Sequence, residues 1–60
     1  MNYQTEALNW VRKYGLKPMD IRTAQNALKF LIDDALSIAE TEEDIDLCSK
    51  VKLNAMECAK

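Results

Sequence analysis

Residues 18–40 read PMDIRTAQNALKFLIDDALSIAE and contain no glycine and, after the first position, no proline. Apolar side chains recur there at alternating spacings of three and four, at Ile21, Ala24, Leu28, Leu31, Ala35 and Ile38. Because an α-helix has 3.6 residues per turn, this spacing aligns the six side chains along one side of a helix. The sequence therefore predicts one long amphipathic helix over 18–40, against which the rest of the chain packs.

Two further helices are predicted on either side of the central one, over residues 2–14 and 42–58. Asn2 suits the start of the first, because an asparagine side chain can accept hydrogen bonds from the unpaired amides of a first turn. Together the segments predict an all-α fold, a small three-helix bundle with a long central helix on which the third helix packs antiparallel. Residues 1–60 are expected to form a single helical domain.

The two predicted connections carry residues that end and start helices. Gly15 is expected to end the first helix in the left-handed conformation, which glycine adopts without a side-chain penalty. Pro18 suits the first position of the central helix, where a missing amide hydrogen leaves no bond unmade. Thr41 is expected to cap the third helix, and Asp44 to reach back to it as in a capping box.

A chain of 60 residues forms only a small core. A domain of this size buries about 60% of the surface that its unfolded chain exposes, so we expect association into a homodimer to add stability. Cys48 and Cys58 lie about 15 Å apart along the third helix, too far to bond to each other. We interpret both as small apolar side chains of the interior.

Charge is distributed unevenly along the chain. Residues 1–29 contain five basic and two acidic side chains, whereas residues 30–60 contain three basic and eight acidic ones. Such an asymmetry can steer association or align two copies head to tail, although solvated helix faces also produce it by chance in short chains.

No catalytic, cofactor-binding or metal-binding residue is predicted. The chain has no histidine, its two cysteines lack the spacing of a zinc site, and the acidic run at 42–44 lacks the glycine turn of a calcium loop. Three short helices also leave little room for a cleft that excludes water. We therefore predict a protein that is not an enzyme, needs no cofactor and takes no small-molecule substrate.

The compartment is predicted from two missing patterns. The amino terminus does not have the pattern of a signal peptide, and no apolar run approaches the roughly 18 residues that cross a bilayer. A cytoplasmic protein without a membrane partner is the expectation.

Aromatic residues form the candidate protein interface. Tyr3, Trp10 and Tyr14 recur with Ala7 at spacings of four, three and four, so they form one stripe on the first helix. Phe30 projects from nearly the opposite side of the central helix to its apolar row. It is either covered by the first helix or left for a partner.

A nucleic-acid-binding regulator is the alternative. Residues 7–31 have the order helix, glycine-containing turn, helix, which at low resolution is that of a helix-turn-helix. Four side chains of types that contact phosphates or base edges would share one side of the central helix: Arg22, Gln25, Asn26 and Lys29. A pI of about 4.9, the length of the central helix and the long turn argue against this alternative.

The predicted function is that of a small helical regulatory protein that acts through protein–protein contacts. Its partner is another protein or a second copy of the chain, because the apolar rows at this spacing suit both helix-in-groove binding and dimeric bundles. A phage- or plasmid-type accessory factor is the class that we expect.

Overall fold

Three helices and no β-strand form residues 2–60, the part of the chain that the computed structural model describes. Helix α1 is Tyr3–Tyr14, helix α2 runs without a break over 21–38, and helix α3 is Glu42–Cys58. The predicted all-α class and the predicted number of helices are confirmed.

Helix α2 widens in its middle. Its first segment is Ile21–Asn26 and its last is Ile32–Ile38, and between them Ala27–Leu31 forms a π-helical turn. The amide of Ile32 donates to the carbonyl of Ala27, five residues earlier in place of the usual four. The wider turn rotates the side chains that follow it, so a regular spacing of three and four no longer marks one side of the helix.

The interior is built mainly from small side chains, and Val11, Val51 and Cys48 are the largest that are fully buried. The buried positions of α2 are Ala24, Ala27, Ile32 and Ala35. Of the predicted apolar row, Leu28, Leu31 and Ile38 are only partly buried. Ile21 is 52% exposed, and its prediction as a core residue was wrong.

The start of α2 differs from the prediction. Asp20 is the cap, and its carboxylate accepts from the amide of Thr23 at 3.1 Å. Hydrogen bonds from Thr23 lower the pKa of Asp20 below its ordinary value. Pro18 therefore lies in the connection and not in the first helical position, and the helix ends at Ile38 rather than at residue 40.

The starts of α1 and α3 agree better with the prediction. The Asn2 side chain accepts from the amides of Gln4 and Thr5, at 3.1 and 3.2 Å. Thr41 accepts from the amide of Asp44 at 3.2 Å, which confirms it as the cap of α3. The main partner of the Asp44 carboxylate is Arg12, and Thr41 has a smaller effect on the pKa of Asp44.

Arg12 and Asp44 join α1 to α3 by two parallel hydrogen bonds. Arg12 Nη2 donates to Asp44 Oδ2 at 2.8 Å, and Arg12 Nε donates to Oδ1 at 3.2 Å. This planar pairing is the strongest geometry available to an arginine and a carboxylate. The bonds from Arg12 hold the pKa of Asp44 below its ordinary value, although partial desolvation of the carboxylate acts in the other direction.

Gly15 ends α1, but not in the predicted left-handed conformation. Its φ and ψ are −60° and −30°, in the right-handed region that any residue adopts. Glycine is required for space: a Cβ at this position would lie 3.0 Å from Val51 Cγ1, closer still to Val51 Cγ2, and 2.6 Å from the carbonyl oxygen of Val11.

Helix α3 also holds the connection that follows Gly15. Asn54 Nδ2 donates to the carbonyl oxygens of Gly15 at 2.8 Å and Lys17 at 3.1 Å. Helix α3 contacts both segments of α2 and the turn between them, and α1 has its most extensive contacts with Ile32–Ile38. The three helices thus share one interior, with the end of α1 fixed against the middle of α3.

We expect Gly15→Ala to destabilise the fold by about 1–3 kcal/mol, the usual cost of forcing a methyl group into a packed interior. Urea unfolding followed by circular dichroism measures the change. In the double variant with Val51→Ala the added methyl group gains space, so the two substitutions together should cost less than the sum of each alone. Unchanged stability in Gly15→Ala would contradict the close packing.

The Arg12–Asp44 pair should make stability depend on pH. Because the folded-state pKa of Asp44 is lowered, the pair stabilises the fold fully above the ordinary aspartate pKa, and this contribution is lost as the pH falls through the folded-state value. Asp44→Asn should therefore lower the thermal midpoint at neutral pH and make less difference in acid. Asp46→Asn, an exposed neighbour without this pairing, is the control.

Candidate protein interface

The four aromatic residues differ in how far the bundle covers them. Trp10 is partly buried and packs against the core. Tyr3 is 69% exposed, Phe30 is 55% exposed and Tyr14 is 45% exposed. Three large aromatic rings therefore contact solvent in a chain whose interior is built largely from alanine and valine.

The side of α1 that faces the interior is narrow. Its buried residues are Ala7, Leu8 and Val11. Of the predicted aromatic stripe only Ala7 is fully buried, so the three rings lie beside the core and not within it. The small residues let α1 pack close to its neighbours, and the space between the helices is then too small for an aromatic ring.

Three of the four aromatic residues line clefts between α1 and α2. Near one end, Tyr3 and Gln4 line a shallow cleft with Asp34, and Gln4 Nε2 donates to Ser37 Oγ at 3.1 Å. Near the other end, Trp10 and Tyr14 line a second cleft with Thr23.

Phe30 lies in the π-helical turn of α2 and lines neither cleft. Its side chain is 55% exposed. Tyr3, Trp10, Tyr14 and Phe30, the predicted interface, are called the aromatic row below.

Lysines accompany the exposed rings. The ammonium groups of Lys13 and Lys17 lie 5.4 and 5.8 Å from the ring centre of Tyr14. That of Lys29 lies 5.2 Å from the ring centre of Phe30. At these distances a cation is attracted by the face of an aromatic ring, so the row combines apolar area with positive charge.

The connection between α1 and α2 borders the aromatic row. The sequence analysis did not predict this contact. Pro18 and Met19 line the cleft with Trp10 and Tyr14. Pro18 was predicted as the first residue of the helix, but it lies before the cap Asp20 and borders the cleft.

The residues of the nucleic-acid alternative are all exposed on α2. Arg22 and Asn26 are four residues apart, as are Gln25 and Lys29, so they form two adjacent rows along about two turns of helix. Lys29 is also the cation beside Phe30.

A second group of exposed apolar side chains was missed as a surface. Ile21, Leu36, Ile45 and Met56 are between 43% and 52% exposed. Of these four, the sequence analysis had placed only Ile21, in the apolar row of the central helix. No signal for their exposure was identified in the sequence.

The two cysteines are both free, and they differ in access. Cys48 is 1% exposed, and burial, with a smaller effect from the charge of Asp44, raises the pKa of its thiol. Cys58 is partly buried, with its sulfur 3.9 Å from Asn54 Oδ1. No group of three or more potential ligands that could hold a metal ion occurs within residues 2–60.

The chain matches no protein-family model, no curated protein and no solved structure. Among residues 2–60, none of the helices combines the length and the apolar character that crossing a membrane requires.

The cysteines provide a direct test of the packing. We expect a thiol reagent to modify Cys58 quickly, and Cys48 only at the rate at which the fold opens, because a thiolate must form and be reached before it reacts. The absorbance of the released thiol reagent should therefore change in a fast and a slow phase. The single variants Cys58→Ser and Cys48→Ala show which cysteine gives each phase. Rapid reaction of Cys48 in the folded protein would contradict its burial.

Proposed function

We propose that this chain is a small, non-catalytic regulatory protein that acts by binding another protein through the aromatic row. The observation that carries the proposal is the exposure of Tyr3, Tyr14 and Phe30 beside a core in which nothing larger than valine is fully buried. Large rings would add more to folding stability if they were buried in the core than they do on the surface. Their position on the surface is explained by a contact that the isolated chain does not make.

Aromatic rings of this kind supply much of the binding energy where proteins meet. Tyrosine and tryptophan are enriched among the residues whose truncation weakens a complex most. Trp10 already has one side against the core, so it is held rigid at little further cost in entropy. Tyr3, Tyr14 and Phe30 would lose most of their exposed area to a partner.

The lysines define the chemistry of that partner. Lys13, Lys17 and Lys29 place positive charge beside the two rings, Tyr14 and Phe30. The complementary surface is apolar with carboxylates at its margin, as on an acidic amphipathic helix laid along the seam of α1 and α2. A basic partner would place like charges opposite each other.

A non-catalytic role is supported by the chemistry of the side chains. The chain has no histidine, and the thiol of Cys48 is buried with a raised pKa, the opposite of an activated nucleophile. We assign the acidic cluster Glu42, Glu43 and Asp44 to the start of α3, and Asp44 also to the pair with Arg12, and not to an acid–base site.

The test uses the chain as bait in an extract of its source cells, followed by purification of the retained protein and titration against variants. Phe30→Ala and Tyr3→Ala should each weaken the complex about tenfold or more, with helix content unchanged. Leu53→Ala is the matched control, since Leu53 is 65% exposed on α3 and away from the seam. Equal affinity for all three variants would overturn the proposal.

The same experiment separates the nucleic-acid alternative. If nuclease treatment releases the bound material, and if Arg22→Glu with Lys29→Glu abolishes a salt-sensitive complex with DNA or RNA, the chain is a nucleic-acid-binding regulator. A protein complex that survives nuclease and depends on Phe30 supports the proposed function.

A further inference from the structure

The cleft lined by Trp10, Tyr14 and Met19, called the Trp10 cleft below, differs from the rest of the aromatic row in depth and charge. We propose that it receives one large apolar side chain of an acidic protein segment, and that a carboxylate next to this side chain contacts Lys13 and Lys17. The inference rests on the proposed function and deepens it, because it specifies what the partner must carry and where it is held.

The deeper side of the Trp10 cleft is apolar. Trp10 from α1 and Met19 from the connection line the cleft, and both pack against the core. Tyr14 and Pro18 line it nearer the surface, where both are exposed. The cleft has a volume of about 280 Å³, below the range of about 300–1,000 Å³ that is typical of small-molecule sites. We therefore expect it to hold a single side chain and not a whole ligand.

The connection that forms one side of the Trp10 cleft is held by hydrogen bonds. Asn54 Nδ2 donates to the carbonyl oxygens of Gly15 and Lys17, at 2.8 and 3.1 Å. Further along, the Asp20 carboxylate accepts from the amide of Thr23 at 3.1 Å. The cleft is therefore preformed, and binding costs little in the ordering of its backbone.

Two lysines beside the Trp10 cleft lack an acidic partner. The ammonium groups of Lys13 and Lys17 lie 5.4 and 5.8 Å from the ring centre of Tyr14. Among residues 2–60 the ion pairs are those of Arg12 and Lys60, so neither of these two ammonium groups is paired with a carboxylate. A carboxylate from a partner would make charge-assisted hydrogen bonds with them, which are stronger than bonds between neutral groups.

Asp20 also lines the Trp10 cleft, and it restricts where that carboxylate can lie. Its own carboxylate is the cap of α2 and is held by the amide of Thr23. A second carboxylate close to Asp20 would be repelled, whereas one beside Tyr14 would meet Lys13 and Lys17. The acidic residue of the partner is therefore expected on the Tyr14 side of the inserted side chain.

The other parts of the aromatic row do not combine these features. The cleft beside Tyr3 is lined by Asp34 and by uncharged side chains, so it offers a carboxylate no cation. Phe30 has Lys29 beside it, but it lines neither cleft. Within the row, apolar depth and positive charge thus occur together at the Trp10 cleft.

Four tripeptides, blocked at both ends, test the proposal by NMR titration of the reduced protein. Acetyl-Asp-Phe-Asp-amide carries the apolar side chain and its carboxylates, Asn-Phe-Asn removes the charge at the same size, Lys-Phe-Lys reverses it, and Asp-Ala-Asp removes the apolar side chain. Trp10 is the only tryptophan of the chain, so its indole N–H signal reports on the cleft directly. We expect Asp-Phe-Asp to shift this signal with a dissociation constant of about 1–10 mM, and the other three to bind at least about fivefold more weakly.

Lysine variants test which cations the peptide contacts. Lys13→Gln and Lys17→Gln should each weaken the binding of Asp-Phe-Asp by about threefold or more and leave that of Asn-Phe-Asn unchanged. Lys29→Gln is the matched control, because Lys29 also lies beside an aromatic ring but outside the cleft. All three lysines are exposed, so the fold tolerates the substitutions.

The proposal would be overturned by equal binding of Asp-Phe-Asp and Asn-Phe-Asn, by equal binding of Asp-Phe-Asp and Asp-Ala-Asp, by lysine variants without effect, or by no shift of Trp10 with any peptide. The proposed function is tested at Phe30 and Tyr3, which lie outside the Trp10 cleft. A captured protein that depends on Phe30, without peptide binding at Trp10, would refute this inference alone. Peptide binding at Trp10, with a complex indifferent to Phe30→Ala and Tyr3→Ala, would refute the proposed function alone.

Discussion

The structure depends on one close approach, that of Gly15 at the end of α1 to Val51 in the middle of α3. A single methyl group on Gly15 would overlap Val51 and the carbonyl of Val11. Asn54, one turn further along α3, then holds the carbonyls of Gly15 and Lys17. These contacts decide where α1 ends, how the connection leaves it, and how α1 lies against α2 and α3. The pair of Arg12 and Asp44 fixes the same two helices at a second point.

Close approach of the helices determines what the interior can hold. Alanines at positions 7, 24, 27, 35 and 55 let the backbones meet, and they leave no space for an aromatic ring. The large side chains therefore lie along the margins of the helices. They form two groups, the aromatic row and the exposed aliphatic side chains Ile21, Leu36, Ile45 and Met56.

Local signals in the sequence were reliable where neighbouring residues alone satisfy a helix end. Asn2 and Thr41 accept hydrogen bonds from amides two or three residues later, and both were predicted as caps. Asp44 was predicted to complete a capping box, but a guanidinium from another helix offered a stronger partner. Gly15 was correctly predicted as the end of α1, but the predicted reason, a left-handed backbone, was wrong. Glycine is needed at this position because Val51 leaves no space for a side chain. The four aromatic residues of the candidate interface were chosen from the sequence and stay a prediction, whereas the exposure of each ring depends on how the helices pack.

By itself the sequence determined the all-α class, the number of helices and the starts of α1 and α3, because spacing and capping act over a few residues. Only the tertiary structure decided which apolar residues are covered. Ile21 belongs to the predicted apolar row and is nevertheless exposed, and the π-helical turn interrupts the regular period of α2. The close contact of Gly15 with Val51 sets the position of α1. Both features arise from packing between segments far apart in the chain, and a period of three and four in one helix carries no information about them.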